Sequence, residues 1–542
     1  MSDFVVPKPE NDPIRSYAPG TPERDELKAK IDELKGQEIE IPLIIGGREV
    51  KTGNIGKCII PHNHKYVLAH FHQAGESEVN QAIDAATEAW KSWSTTPFEK
   101  RAKIFLKMSE LVAGTWRQTL NAATMLNMSK TVFQAEIDAA CEVADFFNFN
   151  PYYAQELSTH QPMHSPPPTK NTVEHRPLEG FVFAVSPFNF TSIGANLPTA
   201  PSLMGNVVLW KPASSAVYPA WFFMELFKEA GLPDGVINFI PGAGSKVGPT
   251  VMRHPDLAGV HFTGSTAVFQ GMWKTVGENI ANYKSYPRIV GETGGKNFCI
   301  AHESADADAL VTAMVRGAFE YQGQKCSALS RAYIPSTIWP EVKERYVAEV
   351  KSIRMGDVED FTNFMNAIID KAAFDSIIEY IDYTRESSDA EFLTGGGYDD
   401  SVGYFIEPAT IITTDPHFKT MEEEIFGPVL TIFVYDSNKW QETLQLIDQT
   451  SIYALTGCVI AQDRKAIDDA SQVLTHAAGN FYINDKPTGA VVGQQPFGGS
   501  RASGTNDKAG SIWNLARWVS QRTVKENFDP PKDYRYPFMA DE

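Results

Sequence analysis

The 542-residue sequence is poor in cysteine, short of basic residues and without a long apolar run. Its five cysteines are far apart and form no C-x-x-C pair, which excludes zinc-ribbon and thioredoxin motifs. No apolar stretch approaches the roughly 20 residues that a membrane-spanning helix needs. The 48 basic and 67 acidic residues give a net charge of -19, which disfavours nucleic acid and anionic membranes as partners.

Features of targeting and of metal binding are also missing. The first 30 residues are rich in acidic residues and proline, unlike a signal peptide or an Arg-rich transit peptide, so we expect a cytoplasmic protein. The histidine pair His160 and His164 lies among prolines that preclude a regular helix, and we predict no metal site. Four cysteines have the surroundings of buried core thiols, whereas Cys326 lies among polar and small residues in "GQKCSALS".

From residue 180 onward, short apolar runs alternate with helical patterns. This alternation predicts βαβ units and a parallel sheet covered on both faces, with a nucleotide bound at the carboxyl ends of the strands. A second α/β region follows over 294–490, so the chain is predicted to be an α/β protein of two large domains. The apolar runs of the first sheet are at 181–185, 206–210, 235–240, 258–262 and 288–290.

Polar residues follow three of these predicted strands. Asn189 comes after the first strand, Lys211 ends the second, and Glu292 ends the fifth. Each has a plain alternative role, as a helix cap, a solvated charge or a loop acid. Because parallel strands end at one edge of a sheet, we expect the three side chains to lie near one another.

Two glycine-containing stretches are candidate phosphate sites. The run 263–266, Thr-Gly-Ser-Thr, follows a strand and opens a helix, so its free N–H groups suit a pyrophosphate as well as ordinary capping. The run "PGAGSKVG" at 241–248 departs by one residue from the dinucleotide fingerprint and favours a simple strand-to-helix turn.

Seven motifs in order resemble the aldehyde dehydrogenase superfamily. They are P-F-N-F, K-P, F-T-G-S, E-T-G-G-K, G-Q-x-C, "EEEIFGPVL" and "QQPFGGSRASG". The resemblance implies a Rossmann-type NAD-binding domain over 1–150 and 173–293, which includes an N-terminal helical region, and a catalytic domain over 294–490. It also implies a small β-flap formed by 151–172 and 510–542 that joins subunits, hence a homodimer or an assembly of dimers.

The resemblance assigns the chemistry to three residues. The Cys326 thiolate is expected to attack an aldehyde, Asn189 to hold the oxyanion, and Glu292 to activate water against a thioester. The cofactor is expected to be NAD, with NADP less favoured. Its expected contacts are Ser186, Lys211, Gly264, Ser265, Thr266, Ala267, Val268, Glu424 and Phe426.

Two departures narrow the resemblance to one branch of the family, which acts on the γ-semialdehyde of glutamate. Most members have Gly where this chain has Phe269, and many have Glu where it has Ser214. The absence of that acidic residue at Ser214 weakens the case for strict NAD selectivity. The branch also matches the stretches 11–27, 134–147 and 488–508.

The same branch implies a substrate site. The substrate carboxylate is expected at Ser327 and at the backbone of Gly489 and Ala490, and Glu142 is expected at the ammonium unless it lies on a solvated helix face. Phe190 and Phe497 are expected to line the aliphatic stem. A dehydrogenase of another carboxylated aldehyde, such as succinate semialdehyde, is the main alternative, but "TGAVVG" offers no cation for its carboxylate. A non-catalytic dinucleotide-binding protein is the alternative of another class.

Overall fold

Two seven-stranded sheets and four smaller ones organise the computed structural model, which describes residues 4–541. The first eleven strands are β1 (Ile39–Ile41), β2 (Leu43–Ile45), β3 (Arg48–Val50), β4 (Ile55–Ile60), β5 (Asn63–His72), β6 (Thr169–Pro177), β7 (Phe181–Val185), β8 (Val207–Lys211), β9 (Ile237–Phe239), β10 (Leu257–Thr263) and β11 (Arg288–Glu292). The other twelve are β12 (Asn297–Ala301), β13 (Leu329–Pro335), β14 (Ala390–Thr394), β15 (Tyr398–Asp399), β16 (Phe405–Ile406), β17 (Ala409–Thr413), β18 (Val429–Tyr435), β19 (Tyr453–Ala454), β20 (Thr456–Ile460), β21 (Asn480–Ile483), β22 (Ser500–Arg501) and β23 (Val519–Asn527).

Helices cover the sheets and build the N-terminal region. The first ten are α1 (Pro22–Lys35), α2 (Glu76–Trp93), α3 (Phe98–Ala113), α4 (Arg117–Met128), α5 (Val132–Ala135), α6 (Val143–Ser158), α7 (Thr191–Leu203), α8 (Val217–Glu229), α9 (Gly244–Arg253) and α10 (Thr266–Glu278). The other seven are α11 (Ala307–Phe319), α12 (Trp339–Ser352), α13 (Lys371–Glu386), α14 (Lys419–Glu422), α15 (Trp440–Thr450), α16 (Arg464–Val473) and α17 (Ile512–Ala516). A π-helical turn, Glu136–Glu142, joins α5 to α6.

The first large sheet has the strand order β11-β10-β7-β8-β9-β2-β3. Its five strands from β11 to β9 are parallel and are the five predicted from the apolar runs. Strands β7, β8 and β10 are buried along almost their whole length, as expected for a sheet with helices on both faces. The carboxyl ends of β7, β8, β10 and β11 therefore open on one edge, where the candidate residues lie.

The second large sheet has the order β14-β17-β18-β13-β12-β20-β21. All its pairings are parallel except that of the edge strand β14. Separate apolar cores pack on its two faces, one around Phe298 and Tyr333 and the other around Leu310 and Met314. The predicted α/β class, with a parallel sheet followed by a second α/β region, is thus confirmed.

The proposed flap segments have different boundaries from those predicted. Helix α6 continues through Pro151 to Ser158, so the helical pattern does not break at residue 151. A proline removes one backbone hydrogen bond but is tolerated where packing holds the helix, and most of α6 is buried. The excursion itself is the β6–β23 pair, whereas Leu515 and Trp518, within the predicted flap segment, are fully buried in the core.

All five cysteines are buried and unpaired. Across residues 4–541, no helix is both long enough and apolar enough to cross a membrane. No three His, Cys, Asp or Glu side chains in that range are grouped so as to hold a metal ion.

A buried ion network ties the N-terminal arm to the π-helical turn. Arg117 on α4 pairs with Glu136 and donates to Asp12 Oδ2 at 2.6 Å. Tyr17 donates to Glu136 Oε2 at 2.8 Å, as does the Asn121 amide. The ion pairs and hydrogen bonds hold the pKa of Glu136 below its usual value despite burial, so the carboxylate is ionised.

We predict that Arg117→Leu destabilises the protein by about 3–5 kcal/mol, because it leaves the buried Glu136 charge without its cation. Urea unfolding followed by tryptophan fluorescence measures the change. The matched control is Arg464→Leu, which removes an exposed arginine paired with Asp468 and should cost less than about 1 kcal/mol. Equal shifts in the two variants would contradict a structural role for the buried network.

Candidate active site

The structure brings Cys326, Asn189 and Glu292 together between the two sheets. Asn189 lies on the loop between β7 and α7, and its Nδ2 donates to the carbonyl of Gln324 at 3.0 Å, two residues before the cysteine. Glu292 ends β11, and its charge acts on the Cys326 thiol. All three candidate catalytic residues therefore face one site at the carboxyl edge of the first sheet.

The chain leading to Cys326 has an unusual backbone. Tyr321, Gln322 and Gly323 follow one another in the left-handed region, with φ of 53°, 56° and 66°. A Cβ on Gly323 would lie 2.2 Å from the carbonyl oxygen of Gly427, so only glycine is accommodated there. Non-glycine residues with positive φ cost energy and cluster at functional sites, which is consistent with a loop shaped for Cys326.

Asn297 anchors the cysteine loop to the second sheet. Its Nδ2 donates at 2.7 Å to the carbonyl of Cys326 and at 2.7 Å to that of Ala328. Its Oδ1 accepts from the Thr456 N–H at 3.0 Å. The sequence analysis did not single out Asn297, although it stands directly after the glycine-rich stretch that follows Glu292.

The Cys326 thiol is buried and its environment disfavours the thiolate. Burial raises the pKa of the thiol, and the charges of Glu424 and Glu292 raise that pKa further. Two backbone N–H groups, those of Ser327 and of Cys326 itself, partly offset these effects. In the free protein the sulfur is therefore mostly protonated at neutral pH and needs a nearby base to become a nucleophile.

Glu292 has the properties of such a base. Burial raises the pKa of its carboxyl well above the usual value, whereas the Gly499 N–H, at 3.3 Å from Oε2, and the charge of Lys508 lower it. A raised pKa brings a carboxylate closer to neutral pH, where a general base works best. Gly498 leaves space for this group, since a Cβ there would lie 2.9 Å from Glu292 Oε1.

The predicted cofactor residues on β7 and β8 lie side by side. Ser186 Oγ accepts from the Trp210 indole at 2.9 Å, and the Ser186 N–H donates to the carbonyl of Lys211 at 3.1 Å. Lys211 is buried, and within residues 4–541 its ammonium bonds only to the carbonyl of Pro212, at 3.1 Å. Burial lowers the pKa of Lys211 to about 8. A buried cation without an acidic partner suits a polar or anionic ligand.

The start of α10 fits a phosphate group. Gly264 ends the turn after β10, and Ser265 is the N-cap residue but makes no side-chain capping bond. The first N–H groups of the helix, near Thr266, are therefore free to bind an anion. Ala267 and Val268 are exposed on the first turn beside them.

Glu424 and Phe426 approach the site from the second sheet. Glu424 Oε1 accepts from the Gly295 N–H at 2.7 Å, and burial raises the pKa of Glu424 to about 7. A Cβ on Gly294 would lie 2.3 Å from Glu424, so this glycine is required by the close approach. Phe426 has a φ of 59° and packs edge-on against Phe188, with ring centres 5.8 Å apart.

The predicted carboxylate site lies beside the cysteine. Ser327 is buried, and its hydroxyl is 2.8 Å from that of Thr488, which joins the cysteine loop to the loop of Gly489 and Ala490. The stretch 488–493 itself holds no cation, but Lys486 lies just before it. A Cβ on Gly489 would lie 3.4 Å from the Lys486 ammonium, because Lys486 folds back over the loop that follows it.

The predicted apolar and acidic parts of the substrate site are also adjacent. Phe190 immediately precedes α7, and Ser192 on its first turn donates to Glu142 Oε2 at 2.9 Å. Burial and the charge of Asp138 raise the pKa of Glu142 to about 8. The alternative of a solvated helix face for Glu142 is therefore wrong. Phe497 forms a short antiparallel bridge with Ala509.

A buried ion pair beneath this region was missed by the sequence analysis. Lys130 donates to Asp138 Oδ2 at 2.7 Å and lies 4.2 Å from the centre of the Phe190 ring. Asp138 in turn accepts from the N–H groups of Thr191 and Ser192, both at 2.9 Å, and so caps α7. Sequence periodicity places Asp138 on a helix but carries no sign of its burial.

Comparison with known proteins identifies the family. Residues 50–524 match the model of the aldehyde dehydrogenase family. The chain belongs to this family, and the resemblance drawn from its seven motifs is confirmed.

The similarity extends to one kind of aldehyde dehydrogenase. The chain is 52% identical to the mitochondrial delta-1-pyrroline-5-carboxylate dehydrogenase of Dictyostelium discoideum, over 100% of this chain and 98% of that protein. It is 48% identical to the mouse protein of the same name, over 98% of this chain and 94% of that one. The crystal structure of the Mycobacterium tuberculosis enzyme bound with NAD has a TM-score of 0.96 at 47% identity, over 99% of this chain and 100% of that one.

The acid-base state of Cys326 gives a testable prediction. Because the pKa of the thiol is raised, alkylation of Cys326 by iodoacetamide should be slow near neutral pH and should accelerate as the pH rises. Glu424→Gln removes one negative charge and should increase the rate at pH 8 by several-fold, up to about tenfold. Peptide mass spectrometry measures the modification, with Cys326→Ala as the control. A rate independent of pH between 6 and 9 would be incompatible with this environment.

Proposed function

We propose that the protein oxidises L-glutamate γ-semialdehyde, the open-chain form of Δ1-pyrroline-5-carboxylate, to L-glutamate with NAD. The observation that carries the proposal is one site in which a thiol, a carboxamide and a carboxyl group of raised pKa adjoin free anion-binding groups. The similarity to delta-1-pyrroline-5-carboxylate dehydrogenases over the whole chain supports the same substrate.

Cys326 is the nucleophile. Its sulfur attacks the aldehyde carbon after its proton has passed to a base, for which the neighbouring Glu292 carboxylate is placed. The oxyanion that forms is held by the Asn189 amide and the Cys326 N–H. Asn189 now donates to the Gln324 carbonyl at 3.0 Å, so the amide already faces the cysteine loop. One such donor contributes about 3 kcal/mol to transition-state stabilisation.

NAD fits the groups at the carboxyl edge of the first sheet. Lys211, with no acidic partner, would bind a ribose, and the free N–H groups at the start of α10 would bind the pyrophosphate. Glu424 would bind the second ribose, and Phe426 would pack beside the nicotinamide. The bound cofactor supplies the acceptor for the hydride that leaves the former aldehyde carbon. Ser214 in place of an acidic residue leaves NADP as a weaker alternative.

Glu292 completes the reaction. Once the hydride has left, the acyl group is joined to Cys326 as a thioester. Glu292 takes a proton from water, and the resulting hydroxide attacks the thioester carbon. The bond from that carbon to the Cys326 sulfur then breaks, which releases the carboxylic acid and leaves the sulfur on the protein. Because the pKa of Glu292 is raised, this step speeds up as the pH rises and the carboxylate ionises.

The protein groups that bind the other end of the substrate select for an amino acid. Its carboxylate accepts from Ser327 and from the N–H groups of Gly489 and Ala490, and its ammonium pairs with Glu142. Phe190 and Phe497 enclose the methylene stem between them. A pKa of about 8 means that Glu142 becomes charged when an ammonium approaches, which favours the amino acid over an uncharged analogue.

Succinate semialdehyde is the second candidate substrate, because Lys486 supplies a cation beside Gly489. Glu142 distinguishes the two candidates. Succinate semialdehyde has no ammonium to pair with that carboxyl group, so its binding would leave Glu142 without a charged partner.

The assembly and the location are part of the proposal. The β6–β23 ribbon reaches out from the first domain, and the tail beyond it exposes Tyr534, Tyr536 and Phe538, which supports a dimer or an assembly of dimers. The sequence favours a cytoplasmic protein, whereas several relatives are named as mitochondrial, and the location of this chain stays a prediction.

We predict that the purified protein reduces NAD when Δ1-pyrroline-5-carboxylate is added, as followed by absorbance of the reduced nicotinamide. Succinate semialdehyde should have a kcat/KM at least 10-fold lower, since about 1.4 kcal/mol of ion pairing is lost. Glu142→Gln should reduce this preference by raising KM for the amino-acid substrate alone. Faster oxidation of succinate semialdehyde by the unaltered protein would favour the second candidate.

The roles of Cys326 and Glu292 predict different kinetic defects. Cys326→Ala should abolish oxidation, because no thioester can form. Glu292→Gln should slow the burst of reduced cofactor, because Cys326 loses its base, and should slow the steady rate more, by at least 100-fold, since loss of a general base typically costs 10²–10⁴-fold. Rapid mixing measures both phases, and acid quenching with mass spectrometry detects the acyl group on Cys326. A normal steady rate in Glu292→Gln would contradict its role as the base.

A further inference from the structure

Lys508 is a half-buried cation beside Glu292 that takes no part in the chemistry described above. It follows β22 on the segment that wraps the end of β11, where Gly504 bridges to Glu292 and the Thr505 N–H donates to the Gly291 carbonyl at 2.9 Å. Burial lowers the pKa of Lys508, and the charge of Glu292 raises it. The two groups therefore stabilise each other's charged forms.

The ammonium of Lys508 is held in place by three oxygens. It donates to the carbonyls of Gly479 at 2.7 Å and Gly498 at 3.0 Å, and to Asn480 Oδ1 at 3.2 Å. All three oxygens are neutral, so these bonds fix the position of the charge without cancelling it. The backbone of Lys508 is in the left-handed region, with a φ of 52°, which few non-glycine residues adopt.

Two of these contacts lead directly to the Glu292 carboxylate. Gly498, whose carbonyl accepts from Lys508, packs against Glu292 so closely that a Cβ would lie 2.9 Å from Oε1. The next residue, Gly499, donates its N–H to Glu292 Oε2 at 3.3 Å. Lys508 thus holds the backbone that contacts both carboxylate oxygens.

Among the charged groups around Glu292, Lys508 is the cation that stabilises its ionised carboxylate. Asp507 disfavours ionisation of Glu292, but its own carboxylate is engaged by Arg517, at 3.4 Å, and by the Thr505 hydroxyl, at 2.5 Å. The Cys326 thiol faces Glu292 from the second sheet and becomes a like charge when it loses its proton.

We propose that Lys508 is a positioning residue that orients Glu292 through the Gly498–Gly499 backbone and favours the ionised form of its carboxylate for thioester hydrolysis. The inference rests on the proposed role of Glu292 as the base. It assigns Lys508 an electrostatic effect on Glu292, which the test below follows in one step, the release of the acyl group from Cys326. No step in this account transfers a proton to or from Lys508.

The test is the pH dependence of thioester hydrolysis. On the acid side of the pH profile the hydrolysis rate falls as Glu292 takes up a proton, and we call this fall the acid limb. Lys508→Gln and Lys508→Met remove the charge and should move the acid limb to higher pH by about one pH unit. At pH values below the limb, the hydrolysis rate should then be about tenfold lower. Lys508→Arg keeps the charge and should restore the limb to its original position, even if kcat falls because the three bonds change. Rapid mixing followed by the steady phase isolates this step from hydride transfer.

Two further variants sharpen the result. Asp507→Asn removes an anion near Glu292 and should move the limb the opposite way, which also tests the coupling if the neutral Lys508 variants fold poorly. Lys465→Gln removes an exposed lysine on α16 and is the matched control, with no expected shift. If the acid limb stays in place in both neutral variants while kcat falls, Lys508 only holds the loop, and the proposal is overturned. An equal shift in Lys508→Arg would overturn it as well.

The proposed function and this inference fail separately. If Δ1-pyrroline-5-carboxylate is not oxidised, the same pH profiles can be recorded with propanal, because the thioester on Cys326 must be hydrolysed whatever aldehyde forms it. A burst with propanal that is followed by an unshifted limb in Lys508→Gln contradicts the inference and leaves the substrate assignment untouched. If neither aldehyde is oxidised, the site is not that of a dehydrogenase, and this inference is contradicted as well.

Discussion

The Asn297 amide links the reacting loop to the scaffold, and the geometry of the site depends on that link. One side chain donates to the carbonyls on both sides of Ser327 and accepts from the Thr456 N–H on β20. The cysteine loop is thereby fixed relative to the second sheet, whereas Glu292 and Asn189 belong to the first. Catalysis depends on distances between groups from different sheets, so a loop that moved by 1 Å would lose much of the oriented chemistry.

Burial sets the electrostatics of the whole site. The pKa values of Glu292, Glu424 and Glu142 are raised mainly because their carboxyl groups are removed from water, and that of Lys211 is lowered for the same reason. Each group is thus less charged before ligands bind than it would be on a surface. A substrate with a carboxylate and an ammonium, and a cofactor with phosphates, would supply the missing counter-charges. The site therefore favours ligands that carry charge of the right sign at each end.

Much of the first sheet was predictable because its signal is local. Five apolar runs became five parallel strands, and Asn189, Lys211 and Glu292 lie at their ends as expected. The prediction failed at Pro151, where the local cost of proline in a helix is outweighed by the packing of α6. The position of Lys486 beside Gly489 was not predicted, because a side chain that folds back over its own loop has no signature in residue spacing.

The sequence by itself determined the α/β class and the family, and it named the candidate reacting groups. Those properties depend on residue types, on their order and on short-range periodicity. Only the tertiary structure decided that Glu142 is partly buried against Ser192, that Asn297 holds the cysteine loop and that Lys508 lies near Glu292. These facts depend on contacts between residues far apart in the chain. Burial and hydrogen-bond partners come into being only when the sheets pack together, and they set the charge of each group.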